Sequence, residues 1–131
     1  MTLTAPAGAA DLAAQDFDIM SPRCPSRTVL RHVVDRWTPL IVTALAEAPL
    51  RFGRLRERVG GVTPKVLAET LRSLERDGLV LRTVTPTSPP RVDYELTGLG
   101  ATLAGPIQTL REWAEDHADT VLAARERYDA A

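Results

Sequence analysis

The chain has little of what catalytic and metal chemistry usually require. Of its 131 residues, one is cysteine and two are histidine. A single thiol, Cys24, cannot close an intrachain disulfide, and a reducing cytosol is its natural compartment. His32 and His117 lie far apart, so no zinc-ligand spacing exists and each reads most simply as a structural or surface group. No nucleophile elbow, phosphate loop or dinucleotide fingerprint occurs. An enzyme therefore has almost no support, and no cofactor is expected. No apolar run approaches membrane-spanning length. Residues 1 to about 20 are rich in Ala, Asp and Thr, with no basic stretch before a hydrophobic run. The segment 1–22 is expected to be a flexible tail and not a secretory signal. Lysine is nearly missing too: Lys65 is the only one, and the other basic residues are arginine.

What is present suits one compact domain, with 44% hydrophobic and 25% charged residues. The charge is unevenly placed. Between Arg51 and Arg91 stand nine basic and four acidic residues, a local +5 in a chain whose net charge is −1. Such a field inside a mildly acidic protein is expected of a phosphate-binding surface, because phosphates respond to nearby charge and not to the overall pI.

The strongest local pattern runs from Val62 to Thr97. Thr63 is placed to cap a helix and Pro64 to occupy its first position, where a missing N–H costs nothing. Leu67, Leu71 and Leu74 form an apolar stripe. Lys65, Glu69, Arg72 and Arg76 lie roughly opposite and must face solvent or a partner. Asp77-Gly78 ends the helix. Two β-prone runs follow, Leu79 to Val84 and Val92 to Leu96, with Pro86 and Pro89-Pro90 between them suiting an exposed hairpin tip. Upstream, Ser26 to Val34 reads as an amphipathic helix with Val29, Leu30, Val33 and Val34 inward. Thr38-Pro39 reads as a second cap-then-proline start, followed by Leu40, Ile41, Ala44 and Leu45. Pro49 to Phe52 suits a short strand pairing with the wing. Phe52, Leu55 and Val59 mark a supporting helix, and Gly60-Gly61 turns into the Thr63 helix. Two helices joined by a short turn make a helix-turn-helix, with the second as the reading helix.

Several of these segments in order carry a family resemblance. They are Cys24-Pro25, Asp35-Arg36-Trp37-Thr38-Pro39-Leu40-Ile41, Arg51-Phe52 with Leu55, Thr63-Pro64-Lys65-Val66-Leu67, Leu71-Arg72, Leu74 to Val80, Pro89 to Tyr94 and Leu96 to Gly100. Together they resemble the HxlR family of bacterial transcriptional regulators, relatives of the MarR-type regulators, over roughly Cys24 to Val121. The family pattern often has Gly-Lys where this chain has Asp35-Arg36, and Gln where it has Glu69. The resemblance implies a mainly α fold with a small β-hairpin wing, a winged helix-turn-helix dimerising through its N- and C-terminal helices. Residues 23–122 would form that domain and 123–131 the end of the last helix. It also implies a homodimeric repressor or activator on a near-palindromic double-stranded DNA operator.

The residues themselves assign roles within that picture. Lys65 and Arg72 are candidates for base or phosphate contact, with Thr63 near a phosphate at the helix start. Glu69 either accepts from a cytosine amine or pairs with Arg72. Arg76 is expected to touch DNA backbone or a neighbouring acid. Arg91, at the wing base, is expected to reach a phosphate or the minor groove. After Thr97 the chain reads as helical, with Pro106 starting a new segment or kinking the old one. Leu103, Ile107, Leu110, Ala114, His117, Val121, Ala124 and Tyr128 alternate by four and three, a coiled-coil-like seam expected to pair with a second copy. Trp113 is read as an anchor beside it and Trp37 as a core anchor.

In several regulators of the family a cysteine at the position of Cys24 senses oxidants or electrophiles. Here it precedes a helix start with Arg23 and Arg27 close by, which favours a reactive thiolate; the alternative is a small buried packing residue. Two rival classes stay open. One is a regulator answering to a small aromatic or aldehyde effector, and the other is a winged helix used for protein interaction without DNA reading.

Overall fold

A computed structural model describes residues Phe17–Ala131, so the expected tail falls largely outside the described residues. The described residues before Arg36 form one compact unit and Arg36–Ala131 another. In the first, helix α1 spans Pro25–Val33. Cys24 is its N-cap, the sulfur accepting from the Ser26 N–H at 3.3 Å, and Pro25 opens the helix. The Arg27 guanidinium donates to the carbonyls of Ile19 and Met20, at 2.8 and 3.0 Å, tying the preceding turn to the helix. No residue of α1 is buried: Val29 and Leu30 are 60% and 47% exposed, and Val34, its C-cap, is 50% exposed. The expected inward face is thus an outward one, apolar and uncovered in a single chain.

The second unit begins with α2, Thr38–Glu47. Its cap position is Trp37, and Thr38 is the first helical residue, fully buried. The expectation of a Thr38 cap is corrected by one position, because this threonine faces the core beside Ile41, Val42, Ala44 and Leu45. Leu40, expected with that apolar set, is exposed. Strand β1 (Leu50–Arg51), α3 (Phe52–Val59) and α4 (Pro64–Arg76) follow, then β2 (Val80–Thr85) and β3 (Arg91–Leu96). The sheet is antiparallel in the order β1-β3-β2. Leu50 pairs with Tyr94, so the expected short strand does join the wing, and β2 pairs with β3 from Val80↔Leu96 to Thr85↔Arg91. A short helix α5 (Gly98–Ala101) leads to α6 (Ala104–Ala130). Pro106 sits in the first turn of α6, where its missing N–H costs no helical bond, so it starts a segment and breaks none.

The core is apolar and continuous. Ile41, Val42 and Leu45 of α2 are buried with Leu55 of α3, Leu67, Leu71 and Leu74 of α4, Val80 of β2 and Ile107 of α6. Helix α2 packs on α3, on β3 and on the start of α6.

Candidate nucleic-acid interface

Helix α4 is held at both ends by bonds its sequence dictates. Thr63 Oγ1 accepts from the Val66 N–H at 3.2 Å, satisfying one of the orphan donors of the first turn. At the other end, the Leu79 N–H donates to the Leu74 carbonyl and the Gly78 N–H to the Glu75 carbonyl, at 2.9 and 3.1 Å. That pair of bonds is a Schellman closure, and it requires the left-handed backbone that Gly78 adopts at φ +76. Leu74 and Leu79, the two residues such a closure brings together, are both buried.

A second bond set ties this exit to the end of the wing. Thr97 Oγ1 donates to the Gly78 carbonyl at 2.6 Å and accepts from the Gly100 N–H at 3.0 Å. The Thr97 N–H donates to the Leu79 carbonyl at 3.1 Å. Gly100 lies so close to that carbonyl that any Cβ there would collide with its oxygen. The end of α4 and the end of the hairpin therefore share one hydrogen-bonded junction. Glu75 and Arg82 add an ion pair at 3.4 Å from α4 to β2. Burial pushes the Tyr94 phenol above its ordinary value, and the field of Arg82 opposes that shift.

Between these fixed ends, α4 divides cleanly. Leu67, Leu71 and Leu74 are buried, whereas Lys65, Glu69, Arg72 and Arg76 are exposed. At 3.6 residues per turn those four fall within an arc of about 60°. Among the described residues, none of the four forms an ion pair. In particular, Glu69 is not paired with Arg72.

The other basic residues of the segment are differently placed. Arg58 donates to Glu47 at 2.8 Å, a bond that, with the accompanying charge attraction, lowers the Glu47 carboxyl and raises the Arg58 guanidinium. Arg54 meets Glu57 at 3.5 Å. Arg91 is held by both oxygens of Asp93, at 2.9 and 3.4 Å. Arg91 also pairs with Thr85, next to the Pro86–Pro90 tip, so it stands at the far end of the wing and not at its base. The strand order corrects that placement: β3 begins at the tip and runs back to the body. Four of the arginines behind the local +5 are thus locally compensated, whereas Lys65, Arg72 and Arg76 share the outer face of α4 with the single acid Glu69.

The long helix α6 bears the residues expected to form a seam with a second copy. Only Ile107 of it is buried, and Trp113 and Leu122 are 56% and 53% exposed. Trp113, Ala114, Ala118, Val121, Leu122 and Arg125 line a shallow apolar groove of about 260 Å³. Ala114 and Val121 belong to the four-and-three spacing, and Ala118 and Leu122 lie beside them. A straight helix of 3.6 residues per turn drifts against a heptad, so Ala118 and Leu122 enter the face. His117 instead stacks on Trp113, ring centroids 4.8 Å apart, with Nδ1 2.8 Å from the Trp113 carbonyl. Tyr128 is fully outside. Leu110 remains exposed and Leu103 half-buried. Ala118 and Leu122, the Glu75–Arg82 pair and the Thr97–Gly100 junction were not legible as site elements; only the spacing of Thr97 and Gly100 hinted at a cap.

A helix, a glycine turn and a second helix with an exposed basic face, flanked by a β-ribbon, define a winged helix-turn-helix DNA-binding regulator. The chain belongs to the HxlR-like helix-turn-helix family, whose model matches residues 32–121. It is 43% identical over 112 residues to the HTH-type transcriptional regulator YtfH of Escherichia coli K12, itself uncharacterized, covering 86% of this chain and 89% of the relative. The solved structure of ytfH from Salmonella typhimurium superposes with a TM-score of 0.77 at 43% identity, over 83% of this chain and 97% of that one. The redox regulator HypR in its reduced form superposes at 0.69 with 30% identity, over 76% and 98%. All three are regulators by name. Among the described residues, no helix is long and apolar enough to cross a membrane.

Proposed function

We propose that the protein is a homodimeric, sequence-specific repressor that lays α4 into the major groove of a near-palindromic operator in the cytoplasm. The observation that carries this reading is the exposed stripe of α4, with Lys65, Arg72 and Arg76 lacking any ion-pair partner among the described residues. Uncompensated cations on a helix capped at both ends and packed on its other face are suited to phosphates and guanine edges. Thr63 and the start of α4 lie where a phosphate would meet the positive end of the helix. Arg91 reaches DNA only by exchanging Asp93 for a phosphate, so its contribution is smaller than that of Arg72. The second copy docks along α6 and the outward apolar face of α1.

Two measurements test the reading. Arg72→Ala is expected to weaken operator binding by about 1–3 kcal/mol in a low-salt gel shift. The wild-type affinity is expected to fall steeply with salt, through release of counterions from the DNA. Binding that is flat in salt and indifferent to Arg72 would leave a winged helix serving protein interaction instead.

The signal is assigned to Cys24. Its thiol caps α1 and is buried, so oxidation or alkylation disturbs the helix start, and the solved neighbour HypR is a redox regulator by name. Cys24→Ser replaces the capping sulfur by a capping oxygen and removes thiol chemistry. It is expected to bind DNA within about twofold of wild type, a change of a few tenths of a kcal/mol, and to lose any response to diamide. A response equal to wild type would transfer the signal to a small effector bound elsewhere.

A further inference from the structure

Glu69 has no place on a surface built only to hold phosphates. It stands in the middle of the α4 stripe, exposed, with Lys65 four residues before it and Arg72 three after. Those spacings allow helical side chains to pair, yet among the described residues Glu69 forms no ion pair with either. The carboxylate is therefore exposed on the face that the stripe presents to a partner. Against DNA it is repelled by the backbone on both sides of the groove. The repulsion is offset only where a base edge offers a donor.

The major groove offers two such donors, the N4 amine of cytosine and the N6 amine of adenine. Adenine places the N7 acceptor beside its amine, and guanine and thymine present acceptors at their edges. A carboxylate, which can only accept, is opposed by all three. Cytosine alone presents an amine without an adjacent acceptor on the same edge. We propose that Glu69 is the specificity-determining residue of α4, accepting a hydrogen bond from one cytosine amine in each half-site and rejecting other bases there. This rests on α4 being the DNA-reading helix.

The test is selection of bound sequences from a random duplex library by the full-length wild type, Glu69→Gln and Glu69→Ala, with Lys65→Ala run beside them. The wild type is expected to show one cytosine position favoured about tenfold or more. Glu69→Gln, able to donate as well as accept, shifts that position toward adenine. Glu69→Ala loses the preference there while binding random duplex more tightly, since a repelling charge is gone. A wild-type site without such a cytosine, or the same preference in all three proteins, overturns the proposal. In that event a clear loss of affinity in Lys65→Ala leaves α4 as the reading helix, whereas unchanged affinity removes that reading as well.

Discussion

Gly100→Ala is expected to melt roughly 10 °C below wild type, a loss of about 3 kcal/mol at the upper end of ordinary overpacking penalties. The added methyl meets the Leu79 carbonyl oxygen, a backbone atom that also receives the Thr97 N–H. Relief requires moving α5 away from the exit of α4, which breaks the Thr97 bonds to Gly78 and Gly100 together. Gly78→Ala is the informative comparison. Its φ is +76, but a Cβ there meets nothing within 4 Å, so only the backbone preference is lost, about 1 kcal/mol. Thermal melts at matched protein concentration separate the two. Equal melting temperatures would show that the close approach at Gly100 is not sustained in solution.

The second large effect concerns association. Val121→Glu combined with Leu122→Glu is expected to sediment as a monomer at micromolar concentration and to bind the operator about a hundredfold more weakly, the loss of avidity expected when two half-sites are no longer held together. In a two-fold interface each introduced carboxylate meets its own symmetry mate or a close neighbour, so like charges face one another. The wild-type groove contains Trp113, Val121 and Leu122 in exposed positions. Burying such side chains contributes about 1.5–3 kcal/mol each, enough over two copies to exceed the entropy lost on pairing. A wild type that already sediments as a monomer would sink the dimer.

Much of the fold was legible because local chemistry left few choices. Thr63-Pro64 can begin a helix and do little else, Asp77-Gly78 supplies the residue a Schellman closure demands, and the prolines between Thr85 and Arg91 confine the hairpin tip. The face of α4 followed from periodicity alone, since three leucines and four charged residues cannot share a side. The failures have physical causes too. Thr38 looks like a cap in isolation, but a capping hydroxyl and a buried side chain compete, and the core of α2 took it. Arg91 and Arg82 count equally with Arg72 in a charge sum, whereas only their ion pairs with Asp93 and Glu75 reveal that they are compensated. Neither pair is a helical neighbour, and Glu75 and Arg82 meet only once the wing folds onto α4. The four-and-three spacing marked Ala114 and Val121 on α6 but not Ala118 and Leu122, which line the same groove because a straight helix drifts against a heptad. Val29, Leu30 and Val34 were expected inward because an apolar face must be covered, and one chain supplies no cover.

The outer face of α4 has one more implication. Lys65, Glu69 and Arg72 have no ion-pair partner within the described protein, so exchanging them should change folding stability by no more than about 0.5 kcal/mol, the range usual for surface positions. Recognition can then diverge at these positions without endangering the fold, and duplicated copies of such a gene could acquire new operators by single substitutions. Under the proposed function, the residues that decide what is bound are those the scaffold can most easily spare.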